Sequence, residues 1–426
     1  MKLWLYSLIW WVILPLVLFR LWWLGRKEPG YRRHILERLA LQFPSVPEPV
    51  IWIHAVSVGE TRAAEPLITE LLKVYTRHTI LLTHMTPTGR ETGRQLFADE
   101  PNVVQAYLPY DTITMTRRFI AHTKPALCIL METEVWPSLV ASCVRFHVPV
   151  ALVNARLSER SLRRAKKFEN LIHAAMRSLS LVAAQSLHDA NRLKKIGAKK
   201  VEISGNMKFD IEPPLYMLEA GAALREQFPD RAVFLCASTR EGEERLILDA
   251  FVANKSLLPD NFLLIIVPRH PQRFDHVAAM TEEHHLNMMR RSQLGIEVLP
   301  SEVSVLLGDT MGEMFAYYAA CDIAFIGGSL LPLGGQNLIE ANACGKPALV
   351  GPHTFNFAQV SEAAIHAGAA VRVKDAEALF AKIIEMLQSP DMLSHMAEQA
   401  IAFVEHDRGA TKRTVTALAN TVYSKW

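Results

Sequence analysis

The sequence contains few cysteines, and their spacing argues against the common cysteine-based sites. Five cysteines are scattered over 426 residues, and no two of them form a C-x-x-C pair. An odd number of cysteines without a regular framework is typical of a reducing compartment, so we expect buried free thiols. The sequence also lacks a cluster of histidine and acidic residues at ligand spacing. We therefore expect no metal site.

The chain has little net charge, and its basic residues are unevenly distributed. The net charge is +3, and no basic stripe interleaved with aromatic residues indicates nucleic-acid binding. The segment 156–200 contains many basic residues and few acids. Its basic residues are Arg156, Arg160, Arg163, Arg164, Lys166, Lys167, Arg177, Arg192, Lys194, Lys195, Lys199 and Lys200. Such a run is often a solvated helix surface, but it also suits an anionic membrane or a phosphorylated substrate.

Charge is absent from a long hydrophobic run at the N-terminus. This run extends from Leu3 to Phe19, and no small-residue cleavage site follows it. We therefore predict that residues 1–27 form an uncleaved membrane anchor. The nearby basic residues lie mainly after the run, at Arg26, Lys27, Arg32 and Arg33, so we expect the body of the protein on the cytoplasmic side. Pro15 and Arg20 weaken a full span, and a helix lying in the interface remains an alternative.

The rest of the chain predicts an α/β protein with two Rossmann-like domains of similar size. Apolar runs that alternate with helical patterns predict buried parallel strands. We predict them at 50–56, 79–83, 126–130, 148–153 and 179–184, then at 232–237, 262–267, 305–307, 323–326 and 347–350. A proline-containing linker at 208–230 separates the two groups. We place the domains at 28–210 and 211–426, with helices at the C-terminal end, and expect them to face each other across a cleft.

A glycine-rich stretch from Ile323 to Pro352 is the strongest candidate for a ligand-binding loop. It predicts a strand, a loop with two glycine pairs, a helix opened by Asn337 and closed near Gly345, and a second strand. Backbone N–H groups at the start of such a helix can bind a phosphate. Asn337 and Glu340 also have the spacing of a helix cap, which needs no ligand. Both interpretations stay open on this stretch alone.

Polar clusters follow several predicted strands, where ligands bind in doubly wound sheets. They are SVGE at Ser57, METEVWP at Met131, PRHP at Pro268 and GDTMGE at Gly308, and a further polar segment, GNMKFD at Gly205, opens the linker. Together with TPTG at Thr86, YLPYD at Tyr107, NARLS at Asn154 and GPHTFNF at Gly351, these segments resemble the 3-deoxy-D-manno-octulosonic acid (Kdo) transferases of Gram-negative bacteria. The resemblance runs in order from the N-terminal anchor to near the C-terminus. One family segment, GGHNPLE, is GGQNLIE here.

The resemblance implies a GT-B glycosyltransferase at the cytoplasmic face of the inner membrane. Such an enzyme would transfer Kdo from CMP-Kdo to a lipid A precursor, lipid IVA, with inversion and without a metal or other cofactor. Glu60 would be the proton acceptor, and Glu132 and Lys208 would stabilise the transition state. The CMP-binding residues would be Pro268, Arg269, Met311, Gly312, Glu313, Asn337, Leu338, Ile339 and Glu340.

Two other functions are compatible with twin Rossmann-like domains. A sugar-nucleotide epimerase can use the same architecture, but it needs neither the anchor nor the basic segment. A membrane-tethered nucleotide-binding sensor would need no catalytic carboxylate, and three polar residues from separate segments, Glu60, Glu132 and Lys208, argue against it.

Overall fold

The computed structural model describes residues 1–26, 28–166 and 168–422. Lys27 and Lys167, which were included in the predicted anchor and basic segment, lie outside the described residues. The chain forms two compact units. Unit 1 comprises 1–210 together with the chain from 407 onward, and unit 2 comprises 211–406.

Unit 1 contains a seven-stranded parallel sheet in the order β3-β2-β1-β4-β5-β6-β7. Its strands are β1 (Val50–His54), β2 (Thr79–His84), β3 (Val103–Tyr107), β4 (Pro125–Met131), β5 (Val150–Ala155), β6 (Leu181–Ala184) and β7 (Val201–Ile203). Its helices before the linker are α1 (Leu3–Leu24), α2 (Ile35–Arg38), α3 (Val58–Val74), α4 (Pro87–Leu96), α5 (Ile113–Thr123), α6 (Pro137–Arg145), α7 (Glu159–Lys166), α8 (Glu169–Arg177) and α9 (Leu187–Lys195).

The central strands of this sheet are buried on both faces. In β1 all five residues are buried, and successive side chains enter opposite cores. Val50 and Trp52 belong to one core cluster, whereas Ile51 and Ile53 belong to the other. Helices on both faces thus cover the sheet, which explains why the strands were visible in the sequence as continuous apolar runs.

Unit 2 repeats this architecture with its own parallel sheet, in the order β10-β11-β9-β8-β12-β13-β14. Its strands are β8 (Ala232–Thr239), β9 (Phe262–Pro268), β10 (Met288–Arg290), β11 (Val305–Leu307), β12 (Ile323–Ile326), β13 (Ala348–Val350) and β14 (Ala370–Arg372). Its helices are α10 (Leu215–Glu226), α11 (Glu243–Asn254), α12 (Phe274–Glu283), α13 (Met314–Ala320), α14 (Ile339–Ala343), α15 (Ala358–His366), α16 (Ala376–Leu387) and α17 (Pro390–Asp407).

The last helix, α18 (Ala410–Val422), belongs to unit 1. The Asp210 carboxylate accepts hydrogen bonds from the N–H groups of Gly409 and Thr411, at 2.6 and 2.5 Å. The chain leaves unit 1 after Asp210 and has returned to it by Gly409, so both crossings lie next to the Asp210 side chain. The domain bounds predicted from the sequence differ from these units at the C-terminal end, because they assign the chain from 407 onward to the second domain.

Helix α1 has the length and composition needed to cross a membrane, and it is the single helix of this kind among the described residues. The predicted anchor thus forms one continuous helix, from Leu3 to Leu24, with Pro15 inside it. The helix accommodates Pro15 although proline has no backbone N–H to donate. Most of the large hydrophobic side chains of this helix are exposed.

Candidate active site

Glu60 and Glu132 follow adjacent strands at the centre of the unit 1 sheet. Strand β1 pairs with β4, and these neighbours are the point at which the strand order changes direction. Loops that leave such a point diverge and form the usual ligand crevice of a doubly wound sheet. Glu60 lies in the first turn of α3, after β1, and Glu132 directly follows β4.

The Glu60 carboxylate is held in its own loop and has a raised proton affinity. Its Oε2 atom accepts a hydrogen bond from the N–H of Val56 at 2.5 Å. Burial first, and then the negative charges of Glu134 and Glu132, raise the pKa of Glu60 to about 8, against the lowering effects of the Val56 N–H and Lys208. A carboxylate with a pKa near the working pH is suited to accept a proton, although an acid in the first turn can also serve the helix alone.

Glu132 is nearly inaccessible and lies between two cations. Its carboxylate is 2.9 Å from Nζ of Lys208 and 2.8 Å from Nε of Arg156. Burial favours its neutral form, but the two cations outweigh burial and lower the pKa of Glu132. Its backbone has φ of 53°, a left-handed conformation that costs a non-glycine residue energy and that the surrounding fold must impose. Glu132 is therefore a fixed anion that holds Lys208.

Asn154 positions the Lys208 segment, a role the sequence had not assigned to it. Its side-chain oxygen accepts a hydrogen bond from the N–H of Met207 at 3.1 Å, and the residue is fully buried. It is the last residue but one of β5 and precedes Arg156 by two positions. The NARLS segment thus supplies both a support for the backbone beside Lys208 and the second cation on Glu132. An asparagine within a buried strand was the signal available in the sequence.

Glu134 is a third carboxylate near this site and was not among the predicted residues. It accepts a hydrogen bond from the indole Nε1 of Trp136 at 2.8 Å. Burial raises the pKa of Glu134, and the charge of Glu132 adds to this effect. Trp136 precedes α6, whose first N–H groups, of Ser138 and Leu139, donate to the buried carboxylate of Asp111. These contacts fix the METEVWP segment beside the end of β4.

In unit 2, the strand order changes direction between β8 and β12. The Glu243 side chain links the loops that follow these two strands. Its carboxylate accepts hydrogen bonds from the N–H groups of Arg240, Gly328 and Leu330, at 2.9, 2.6 and 2.9 Å. The side chain is fully buried, and burial raises the pKa of Glu243 in spite of these donors. Sequence reasoning missed this residue, which follows β8 in a plainly polar segment. Glu243 therefore supports the glycine-rich loop from inside the unit.

We expect Glu243→Ala to lower the free energy of unfolding by about 3 kcal/mol, because three buried N–H groups lose their acceptor. Urea unfolding of the full chain, followed by circular dichroism, measures this change. Glu283→Ala is the matched control, since Glu283 is exposed and pairs with Arg245 at the surface. A Glu243→Ala variant as stable as the control would show that the loop finds other acceptors.

The first glycine pair of the loop, Gly327 and Gly328, is required for close packing within unit 2, whether or not a ligand binds there. A Cβ atom on Gly327 would lie 2.4 Å from the carbonyl oxygen of Ser238. Gly328 has φ of 71°, which residues with side chains rarely adopt. The loop after β12 can thus approach the end of β8 only because both residues are glycines.

Arg269 lies in an arginine-rich neighbourhood at the end of β9. Burial lowers the pKa of His270, and the charges of Arg240, Arg269 and Arg273 lower it further. Arg240 and Arg273 were not among the predicted site residues. Arg273 forms an ion pair with the buried Glu244 at 3.1 Å. The local excess of positive charge is suited to a phosphate. Pro268, the last residue of β9, is buried in the sheet.

The predicted Met311, Gly312 and Glu313 precede α13. Met311 is exposed, and Gly312 has φ of 85°. The Glu313 carboxylate accepts hydrogen bonds from the Thr310 hydroxyl and, at 3.1 Å, from Arg291. Glu313 is thus already bound within unit 2, whereas Met311 is available at the surface.

The segment Asn337–Glu340 leads into α14, which has only five residues. The Asn337 side chain accepts from the N–H of Ile339 at 3.2 Å and donates to Glu340 at 3.3 Å, as a helix cap would. The side chains of Leu338 and Ile339 are fully buried in unit 2. The buried Tyr318 interacts electrostatically with both Glu340 and Arg269, so the structure brings these two predicted residues into one neighbourhood.

No three His, Cys, Asp or Glu side chains converge as a metal site within 1–26, 28–166 and 168–422. The expectation of metal independence stays a prediction, as do the individual roles of the candidate site residues.

Comparison with known proteins identifies the family. Residues 33–211 match the family model of 3-deoxy-D-manno-octulosonic-acid transferases (kdotransferases), and residues 245–403 match glycosyl transferases group 1. The chain is 42% identical over 414 residues to a 3-deoxy-D-manno-octulosonic acid transferase of Bordetella pertussis, covering 95% of this chain and 96% of that protein. The chain belongs to the 3-deoxy-D-manno-octulosonic acid transferase family. A Haemophilus influenzae member is 36% identical, with 95% of each chain covered.

Membership of the Kdo transferase family confirms the predicted transferase class. The likeness to solved structures confirms the predicted GT-B fold class. A UDP-GlcNAc 2-epimerase of Neisseria meningitidis superposes with a TM-score of 0.58, covering 87% of this chain and 99% of that chain, at 17% identity. Such low identity shows a common fold and says nothing of an epimerase reaction. The two relatives that each cover 95% of this chain are 3-deoxy-D-manno-octulosonic acid transferases.

Proposed function

We propose that this Kdo transferase family member is an inverting enzyme that transfers Kdo from CMP-Kdo to lipid IVA, a lipid A precursor. The observation that carries the proposal is the arrangement around Glu132. Glu132 is fixed between Lys208 and Arg156, and the charges of Glu132 and Lys208 both act on Glu60, whose pKa of about 8 suits a base. Inverting transfer needs such a base and a charged environment for an oxocarbenium-like state.

In the proposed reaction, Glu60 accepts the proton of an acceptor hydroxyl as its oxygen attacks the anomeric carbon of Kdo. A new carbon–oxygen bond forms, and the bond from the anomeric carbon to the phosphate oxygen breaks. The bond electrons leave with CMP, and attack opposite the leaving group inverts the anomeric carbon. Lys208, held by Glu132, stabilises the charges that develop in this step.

The donor nucleotide is proposed to bind to the edge of unit 2 that carries the predicted CMP-binding residues. Arg269, together with the neighbouring arginine Arg240, supplies positive charge for the phosphate. Glu340 can accept hydrogen bonds from ribose hydroxyls, and the exposed Met311 can contact an apolar part of the nucleotide. Because Leu338 and Ile339 are buried, we expect their main chain rather than their side chains to contribute.

The acceptor and the location are proposed from the N-terminal helix and the basic segment. Helix α1 supports membrane association, and the family's role in lipopolysaccharide synthesis favours the cytoplasmic face of the inner membrane. Arg160, Arg163 and Arg164 on α7 are exposed, and they suit the phosphates of a lipid A precursor.

Donor turnover that depends on a lipid acceptor tests the proposal. Full-length protein is incubated with CMP-Kdo, with and without lipid IVA, and CMP release and product mass are measured. We expect CMP only when lipid IVA is present, and a product heavier by Kdo residues. Turnover of donor alone would favour an epimerase-like reaction, and binding without turnover would favour a sensor.

We expect chelators to leave the rate of this transfer unchanged. Lys208, Arg156 and the arginines near Arg269 already supply the positive charge that a divalent cation would provide. Initial rates are compared with and without EDTA, and a chelator loaded with magnesium serves as the control. A rate that falls with EDTA and recovers with added magnesium would contradict the expectation.

A further inference from the structure

Helix α1 packs on unit 1 along most of its length. Ser7, Leu14 and Leu21 are the buried residues of the helix, and each is seven positions from the next. This spacing places them on one stripe of a helix, over about 21 Å. Leu14 and Leu21 share an apolar cluster with Tyr110 and Met115 of unit 1.

The first half of α1 contacts the segment that leads into α5. The Ser7 hydroxyl accepts a hydrogen bond from the N–H of Ile113 at 3.1 Å. The indole of Trp10 stacks on Tyr110 at 5.8 Å and on Trp136 at 6.5 Å between ring centroids. These partners belong to the folded α/β body, so the start of α1 lies against the same unit as its end.

The last turn of α1 is held by the segment that follows the helix. The guanidinium of Arg32 donates two hydrogen bonds to the carbonyl of Trp22, at 3.1 and 3.0 Å. A Cβ atom on Gly25 would lie 2.4 Å from the Arg32 side chain, so the chain turns back tightly after the helix. Contacts at both ends and in the middle thus hold the helix alongside the body.

The opposite face of α1 is a broad apolar surface. Its exposed large hydrophobic side chains are Trp4, Leu5, Leu8, Ile9, Trp11, Val12, Leu16, Phe19, Trp22 and Trp23. Exposed patches of this extent mark interaction sites. We call this set the outer face of α1.

We propose that α1 lies along the membrane surface, with its outer face in one leaflet, and does not span the bilayer. A spanning helix would place both Ser7 and Leu21, which are about 21 Å apart, inside roughly 30 Å of hydrocarbon, with lipid around them. Both residues instead contact one folded body, whose backbone and charged groups cannot enter hydrocarbon. The body of unit 1 replaces the polar face that an interfacial helix normally carries.

The charges around the helix favour a bilayer with anionic lipids as the occupant of the outer face. Lys2 and Arg20 are exposed. The guanidinium of Arg26 lies over the rings of Trp22 and Trp23, at 4.7 and 4.8 Å. Tryptophan beside arginine is typical of the depth where hydrocarbon meets headgroups, and the cations pair with anionic headgroups.

The inference rests on the membrane association in the proposed function, but not on Kdo transfer, and its first test is topological. Lys2→Cys is introduced into the full chain, with Cys344→Ser to remove the partly accessible thiol. Inverted inner-membrane vesicles are treated with a membrane-impermeant maleimide. Asp99→Cys, exposed on the body of unit 1, is the control. We expect both cysteines to be labelled without permeabilisation. Labelling of Lys2→Cys only after permeabilisation would establish a spanning helix.

The second test compares a residue of the outer face with a residue of the packed stripe. Leu16 is 70% exposed and Leu14 is 7% exposed, so they form a matched pair. We expect Leu16→Gln combined with Val12→Gln to weaken binding to phosphatidylethanolamine–phosphatidylglycerol vesicles by about tenfold or more. Leu14→Gln should keep vesicle binding and lower thermal stability instead. Equal loss of vesicle binding in both variants would contradict a one-sided contact, whether or not transfer to lipid IVA is active.

Discussion

Glu60→Gln should lower kcat by about a hundredfold or more and leave binding of CMP-Kdo nearly unchanged. Glutamine keeps the size of the side chain and can still accept the hydrogen bond from Val56, but it cannot take a proton. The variant is measured by initial rates on lipid IVA and by calorimetric titration of the donor. Glu70→Gln, in the same helix but near its far end, is the control and should retain full activity.

The pH dependence gives this prediction a second readout. The base must be ionised to act, so the rate should rise with pH through the Glu60 pKa of about 8 and level off above it. In Glu60→Gln this rising limb should disappear. If the limb survives in Glu60→Gln, another group is the base.

Glu132→Gln should also lower kcat by about a hundredfold, for a different reason. The substitution leaves Lys208 and Arg156 without the buried charge that fixes them. The alkaline-rising limb should persist, because Glu60 remains. It should move to lower pH, since the negative charge of Glu132 contributes to raising the Glu60 pKa.

Lys208→Met tests whether Glu132 and Lys208 act as one unit. The single variants and the double variant are compared by kcat on lipid IVA, with Glu202→Gln on the exposed strand β7 as the control. Residues that act together give a double variant little worse than either single variant. Losses that multiply would show that Glu132 and Lys208 act independently. A rising limb that disappears in Glu132→Gln but survives in Glu60→Gln would reverse the assigned roles of Glu60 and Glu132.

The sequence predicted the central strands but not the edges of the two sheets. All ten predicted strands correspond to strands in the structure, whereas β3, β7, β10 and β14 were missed. These four are the outermost strands of their sheets. These edge strands are partly exposed, so they lack the continuous apolar run by which buried strands are recognised.

The candidate site was predictable as a set of positions but not as an arrangement. Glu132 was in a polar segment after a predicted buried strand, Lys208 was in the predicted linker, and the family resemblance assigned their roles. Their ion pair joins residues 76 positions apart, and Arg156 completes it from a third strand. The raised pKa of Glu60 depends on burial and on neighbours brought close by folding. No local pattern in the chain contains that information.

Unit 2 is an insertion within unit 1, and the Asp210 carboxylate joins the two ends of the insertion by accepting hydrogen bonds from the backbone of Gly409 and Thr411. The segment 211–406 leaves and re-enters the host unit at nearly the same place, since Asp210 is hydrogen-bonded to Gly409. Inserted domains of this kind are separable when their ends lie close together. Replacing 211–406 by a short flexible linker would therefore keep the unit 1 sheet and α18 in one shortened polypeptide. Such a host module would retain Glu60, Glu132 and Lys208 on a single chain.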